Sequence, residues 1–179
     1  MAKEYGILIQ IIFFMNHRTK GFTLIELLIV IAIIAIIAAV AFVALDPLTR
    51  FQDARDSSRW ADLAALTSAI TIDQVDNGGS YLSEIATTTA GQVYMIGTAG
   101  SGCTAQNANC DTKVDQAACV DLTGLVNEGY LGEVPVSPSS GAVTWDSTLT
   151  GYTLERSATG TITIRACESE NSTEISLVR

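Results

Sequence analysis

Hydrophobic residues fall along this chain in three patterns. From Phe22 to Leu45 they are nearly continuous (FTLIELLIVIAIIAIIAAVAFVAL), and Glu26 is the only charge among them. A helix of that length rises roughly 36 Å at ~1.5 Å per residue, enough to cross a ~30 Å hydrocarbon layer with some tilt. The many Ile and Val residues are no obstacle, because lipid forces a backbone to bond to itself. The stretch is apolar on every side, which suits lipid or the interior of a helix bundle. The second pattern runs from Leu48 to about Asp76. Leu48, Phe51, Trp60, Leu63, Ala64, Leu66, Thr67, Ile70 and Val75 recur near three- and four-residue spacing, with Asp53, Arg55, Asp56, Arg59, Asp62 and Asp73 between them. This predicts an amphipathic helix with its apolar stripe on a core. Its charges read as solvated pairs worth tenths of a kcal/mol, with Arg55 near both Arg59 and Asp62.

Asp46-Pro47 separates the two patterns. Pro47 cannot donate to the carbonyl of Val43, so the helix kinks there or a second one begins, with Asp46 as N-cap and Pro47 in the first turn. The helical pattern on both sides favours a kinked, continuous spine. Asn77-Gly78-Gly79 ends it with residues that tolerate positive φ.

The third pattern is short and broken. Thr87–Gly102 reads as loop with a short strand at Gln92–Ile96, and Val120–Tyr130 as a short helix. Strand signals follow at Val143–Trp145, Tyr152–Arg156, Thr161–Ala166 and Glu174–Val178, with Ser157–Gly160 linking two of them as a hairpin. These elements predict an α+β fold: a long N-terminal spine helix, its first half membrane-spanning, packed against a small antiparallel sheet. The corresponding segments are 1–21, 22–45, 46–77 and a head at 78–179.

Charge narrows the partners. The chain has 10 basic and 19 acidic residues. Loss of residues 1–21 would remove Lys3, Arg18, Lys20 and Glu4 and leave a net charge of about −11. That argues against a broad basic surface, so no direct binding to nucleic acid is expected.

Candidate chemistry is sparse. The one histidine, His17, precedes the apolar run, so no Ser-His-Asp or Cys-His unit can form after it. No phosphate-binding glycine pattern occurs, no cofactor is indicated, and the chain does not read as an enzyme. Cys103, Cys110, Cys119 and Cys167 lack the close pairing of a zinc site and read as disulfides in an extracytoplasmic domain. Glu168, Glu170, Asn171 and Glu174 form an acidic turn near the C-terminus. It reads as solvated, with calcium binding as a weaker alternative, since its spacing differs from an EF-hand loop. Before the apolar run, Gly6–Met15 is too short to span, and Asn16–Lys20 after it lacks a secretory cleavage pattern.

The junction Lys20-Gly21-Phe22-Thr23-Leu24-Ile25-Glu26, opening the apolar run, resembles the processing signal of type IV pilins and their relatives, the pseudopilins and competence pilins. The resemblance covers Lys20 to about Leu45. It implies that a prepilin peptidase cuts between Gly21 and Phe22 and methylates the new amine of Phe22. It further implies that Glu26 meets Phe22 of a neighbouring copy and so sets the register of a helical homo-oligomeric filament. A leader starting at Met15, MNHRTKG, would suit this signal. Arg18 and Lys20 precede the apolar run and Arg50, Arg55 and Arg59 follow it, so charge alone does not fix orientation. The resemblance and the cysteines imply a cytoplasmic N-terminus and an external head. The chain would rest in the cytoplasmic membrane and then enter a surface filament, built by machinery with separate ATPases. The resemblance also implies a disulfide bounding the C-terminal region. Three pairings exist, and Cys103–Cys110 with Cys119–Cys167 is favoured. The leading function is a structural filament subunit. The alternatives are a pseudopilin of type II secretion or a competence pilus, and a membrane-anchored adhesive or binding domain that never polymerises.

Overall fold

The computed structural model describes residues 21–141 and 143–179, so the expected leader and the start at Met15 lie outside the described residues. The chain divides into two compact units at Asp46. The first consists of α1, Leu24–Leu45, of which no residue is buried. By length and composition this helical run can cross a membrane. It stops at Asp46, whose φ of 37° and ψ of 72° are left-handed. Among the described residues Asp46 is the only non-glycine with positive φ. Asp tolerates that conformation, and one such residue breaks the helical hydrogen-bond ladder. Helix α2, Pro47–Asp76, then opens with a proline in its first turn, where a missing N–H costs nothing. The expected long spine thus runs from Leu24 to Asp76, with its interruption at Asp46.

The second unit packs α2 against a four-stranded sheet. The strands are β1 (Val93–Met95), β2 (Tyr152–Arg156), β3 (Ile162–Ala166) and β4 (Ser176–Val178), antiparallel and in sequence order. Alternation decides the inner face: Ile162, Ile164 and Ala166 are buried, while Thr163 and Arg165 lie on the other face. The β2–β3 hairpin closes through Ser157 N–H donating to the Thr161 carbonyl at 2.8 Å. Helices α3 (Ser83–Ala86) and α4 (Thr123–Asn127) are single turns that add Ile85 and Leu125 to the core. The expected helix at Val120–Tyr130 thus shrinks to its middle.

Two expectations fail for identifiable reasons. Val143–Trp145 is not a strand, because Asp146 N–H bonds to the Leu149 carbonyl at 3.0 Å and turns the chain back before a ladder can form. The apolar stripe of α2 also differs from the one expected. Leu63, Leu66 and Ile70 are buried, but Leu48, Phe51, Trp60 and Val75 are exposed. Thirty helical residues span ~45 Å, while strands of three to five residues reach at most ~17 Å, so the sheet cannot cover the whole helix.

The cysteines pair as Cys103–Cys119 and Cys110–Cys167, which corrects the favoured pairing. Backbone bonds explain the choice. Cys103 N–H donates to the Ala117 carbonyl at 2.9 Å and Cys119 N–H to the Ala99 carbonyl at 3.1 Å, aligning those two segments. Asp111 N–H donates to the Cys167 carbonyl at 2.7 Å and brings Cys110 beside it.

Gly151 holds a tight junction in this arrangement. Its φ is 77°, and a Cβ there would lie 2.7 Å from the Trp145 ring and 2.9 Å from Ser137 Cβ. Gly151→Ala should therefore lose about 2–4 kcal/mol from backbone strain and overpacking together. Chemical denaturation of the variant should show the loss as a lower midpoint with an unchanged slope.

Candidate processing and assembly site

The sequence-predicted site begins at the N-terminus of α1. Thr23, with φ −81° and ψ 150°, is its N-cap. The Thr23 hydroxyl accepts from Glu26 N–H at 3.3 Å, and a Glu26 carboxylate oxygen accepts from Thr23 N–H at 2.9 Å and from its hydroxyl at 2.8 Å. This is a capping box, which satisfies two of the orphan donors at a helix start. The carboxylate also lies at the positive end of the helix dipole. Phe22 is 80 % exposed, and nothing lies within 4 Å of where a Gly21 side chain would begin. The Glu26 oxygens reach Thr23 and not Phe22. The amine expected as their counter-charge does not exist while the peptide bond to Gly21 is intact.

The acidic turn is placed differently from expectation. Its residues are not a solvated group but fasten the C-terminal region to α2. Glu170 accepts from both Arg55 (Nε, 2.7 Å, and Nη2) and Arg59 (Nη1, 2.9 Å). Glu168 lies 3.5 Å from Arg59 Nη2 and accepts from the Trp145 indole at 3.1 Å and the Ser140 hydroxyl at 2.8 Å. Asn171 donates to the Thr49 carbonyl at 3.2 Å and to Asp53 at 2.8 Å. Glu174 lies apart, on Arg165 at 3.1 Å. The four residues, read as a solvated turn with calcium binding as the weaker alternative, thus bond to other groups of the chain. Among the described residues no group of three or more His, Cys, Asp or Glu side chains is placed to hold a metal ion.

Arg59 is the centre of this cluster and is fully buried. Its guanidinium donates to Asp56 at 2.7 Å, to the Pro138 carbonyl at 2.8 Å and to the Ser137 hydroxyl at 3.2 Å, besides Glu170. Asp56 in turn accepts from three successive backbone N–H groups, Glu170 (3.2 Å), Asn171 (2.9 Å) and Ser172 (3.2 Å). Burial pushes the Asp56 carboxyl up, but the N–H groups of Asn171 and Glu170 and the Arg59 guanidinium outweigh it, so the group sits below its ordinary range. Hydrogen bonding to Arg55 holds Glu170 low as well, against burial and with help from Arg59. Elsewhere on α2, burial raises Asp62 despite the hydrogen bond it accepts from the Tyr152 hydroxyl.

The sequence reading took Arg55, Arg59 and Asp62 for solvated charges and missed this cluster. A signal was present. Asp56, Arg59, Leu63, Leu66, Ile70 and Asp73 follow one three-four alternation, and all are buried. The periodic face was right, but its polar members were assigned to water.

Two outcomes follow for the head. Arg59→Met should leave Asp56 and Glu168 buried without their cation, at a cost of about 3–5 kcal/mol. Calorimetry should read this as a melting temperature lower by roughly 10–20 °C. The pH dependence has a definite sign. Asp56 and Glu170 are lowered in the folded state, so their stabilisation is complete above the ordinary carboxylate range and fades as pH falls through it and below. Asp62 is raised and opposes this with the reverse slope. Asp146 is lowered as well, by the hydroxyl and N–H of Thr148, so three lowered groups against one raised predict a melting temperature that declines between about pH 5 and pH 2, and a shallower decline in Asp56→Asn.

Residues 16–42 match the family model described as the prokaryotic N-terminal methylation motif. No curated protein and no solved structure matches the chain. The motif marks structural proteins and not enzymes, and it implies processing by a prepilin peptidase. It begins before the described residues and ends inside α1, so the capping box of Thr23 and Glu26 lies within it. The chain carries the type IV pilin-like prepilin signature, joined to an apolar helix able to anchor it in a membrane and to an α+β head.

Proposed function

We propose that this chain is a structural subunit of a type IV pilus-like filament, held in the cytoplasmic membrane by α1 until it is assembled. The supporting observation is the Thr23–Glu26 capping box at the mouth of a helix whose other residues are uncharged and exposed. A carboxylate inside a membrane-length segment is costly, and such groups serve a purpose. Here it is held one helical turn from the place where a cut after Gly21 would create an amine. An α-amino group with a pKa near ~8 is mostly cationic at neutral pH. Once two such helices lie side by side away from water, Glu26 of one copy and the amine of Phe22 of another neutralise each other.

Gly21 fits the same reading. Among the described residues nothing lies within 4 Å of where its side chain would begin, so their packing does not require a glycine there. A peptidase pocket that admits only a small residue would. The motor proteins and the platform that extract the subunit are separate partners. The head lies outside the cytoplasm, where both disulfides are stable.

Glu26→Ala separates processing from assembly. Loss of one partner from a desolvated pair costs about 3–5 kcal/mol per contact. Filament sheared from cells should therefore fall by more than about 100-fold. N-terminal sequencing of the membrane fraction should still begin at Phe22. Normal filaments from this variant, or a mature protein that keeps its leader, would refute the proposal.

A further inference from the structure

Helix α2 carries an apolar pair that the head leaves bare. Leu48 and Phe51, three residues apart on one face of the helix, are 64 % and 65 % exposed. The same face turns inward further along, at Arg59, Leu63 and Leu66. The head reaches Thr49 and Asp53, at the start of α2, through the polar side chain of Asn171. Arg50, beside the pair, is exposed and makes no ion pair among the described residues.

Distance along the chain selects what covers this pair. The 22 residues of α1 already rise about 33 Å, slightly more than the ~30 Å hydrocarbon layer. Only Asp46 separates α1 from α2. Whatever direction α2 takes, its axis rises just ~6 Å from Pro47 to Phe51. A headgroup layer adds ~5–7 Å on each side of the hydrocarbon. While α1 spans a bilayer, α2 therefore begins within that layer, with Leu48 one residue past its start. Two apolar side chains beside a cation are the composition that settles there, with the aliphatic and aromatic groups inward and the guanidinium among phosphates.

We infer that Leu48 and Phe51, with Arg50, form an interfacial anchor that lies in the phospholipid headgroup layer before assembly and must be withdrawn from it when the subunit is extracted. This rests on the reading that α1 spans a membrane. The partner is the lipid surface itself. The driving term is apolar, so the anchor works on zwitterionic as well as anionic lipid, and Arg50 adds a modest preference for the latter.

Nitroxide labels test this in the full chain, reconstituted in vesicles of phosphatidylethanolamine and phosphatidylglycerol. Single cysteines replace Leu48, Phe51, the exposed Ser57 and, within α1, Ile34. The native cysteines are all in disulfides and do not compete for label. Labels at 34, 48 and 51 should relax several-fold more with oxygen than with a water-soluble nickel chelate, and the label at 57 should show the reverse. If 34 reads as lipid while 48 and 51 match 57, the anchor is refuted and the span stands. If 34 also reads as water, the membrane-spanning reading fails and the anchor fails with it. If 48 and 51 are shielded from both reagents and show dipolar broadening, a second copy covers the pair and the inference is overturned. Leu48→Ser with Phe51→Ser supplies the second readout. In the anchored state it should raise nickel accessibility at 57 without moving 34, and an unchanged value at 57 would refute the anchor.

Discussion

A guanidinium sealed from water holds this head together. Burying the guanidinium of Arg59 is tolerable only if each donor finds an acceptor and the charge finds its opposite. Both conditions are met by one near neighbour, Asp56 one turn back on α2, and by groups distant in sequence, the Ser137–Pro138 segment and Glu168 and Glu170 just after Cys167. The cluster therefore fixes the C-terminal turn, the 137–138 loop and α2 in one geometry. Gly151 permits it by letting Trp145 and Ser137 approach closely, and Trp145 passes the constraint on to Glu168. The disulfide Cys110–Cys167 ends beside the same turn, so a covalent and an electrostatic restraint act on adjacent residues.

Glu26 obeys the same physics in a poorer environment. It too is an ionisable group in an apolar context, but its partners are only a hydroxyl and one backbone N–H, both from Thr23. Arg59 is electrically balanced within the head, whereas among the described residues Glu26 has hydrogen bonds and no cation. The two charges thus meet the same demand by different means, one through buried counter-ions and the other through the neutral donors of a helix cap.

The larger divisions of the fold were legible in the sequence because they depend on periodicity. The apolar run of α1, the hairpin from Tyr152 to Ala166 and the stop at Asn77-Gly78-Gly79 all follow from local patterns. The processing motif was legible because its residues are contiguous. What could not be read depends on partners far along the chain. Whether Arg59 is solvated depends on Glu168 and Glu170, more than a hundred residues away. Disulfide pairing depends on which loops lie side by side, and spacing alone favoured the short clip Cys103–Cys110. The conformation of Asp46 was hidden for a different reason, since Asp-Pro is compatible with a bend, a cap or a left-handed stop, and local sequence does not rank them.

The break at Asp46 also bears on how one chain can satisfy two solvents. The described residues before it are all exposed. Residues after it have a core, a sheet and two disulfides. A continuous helix would link these halves rigidly, so that any tilt of α1 demanded by bilayer thickness would be imposed on the head. A single left-handed residue followed by a proline removes helical hydrogen bonds at that point. The Arg59 cluster begins only at Arg55, two turns further on, so those turns carry no part of the buried network.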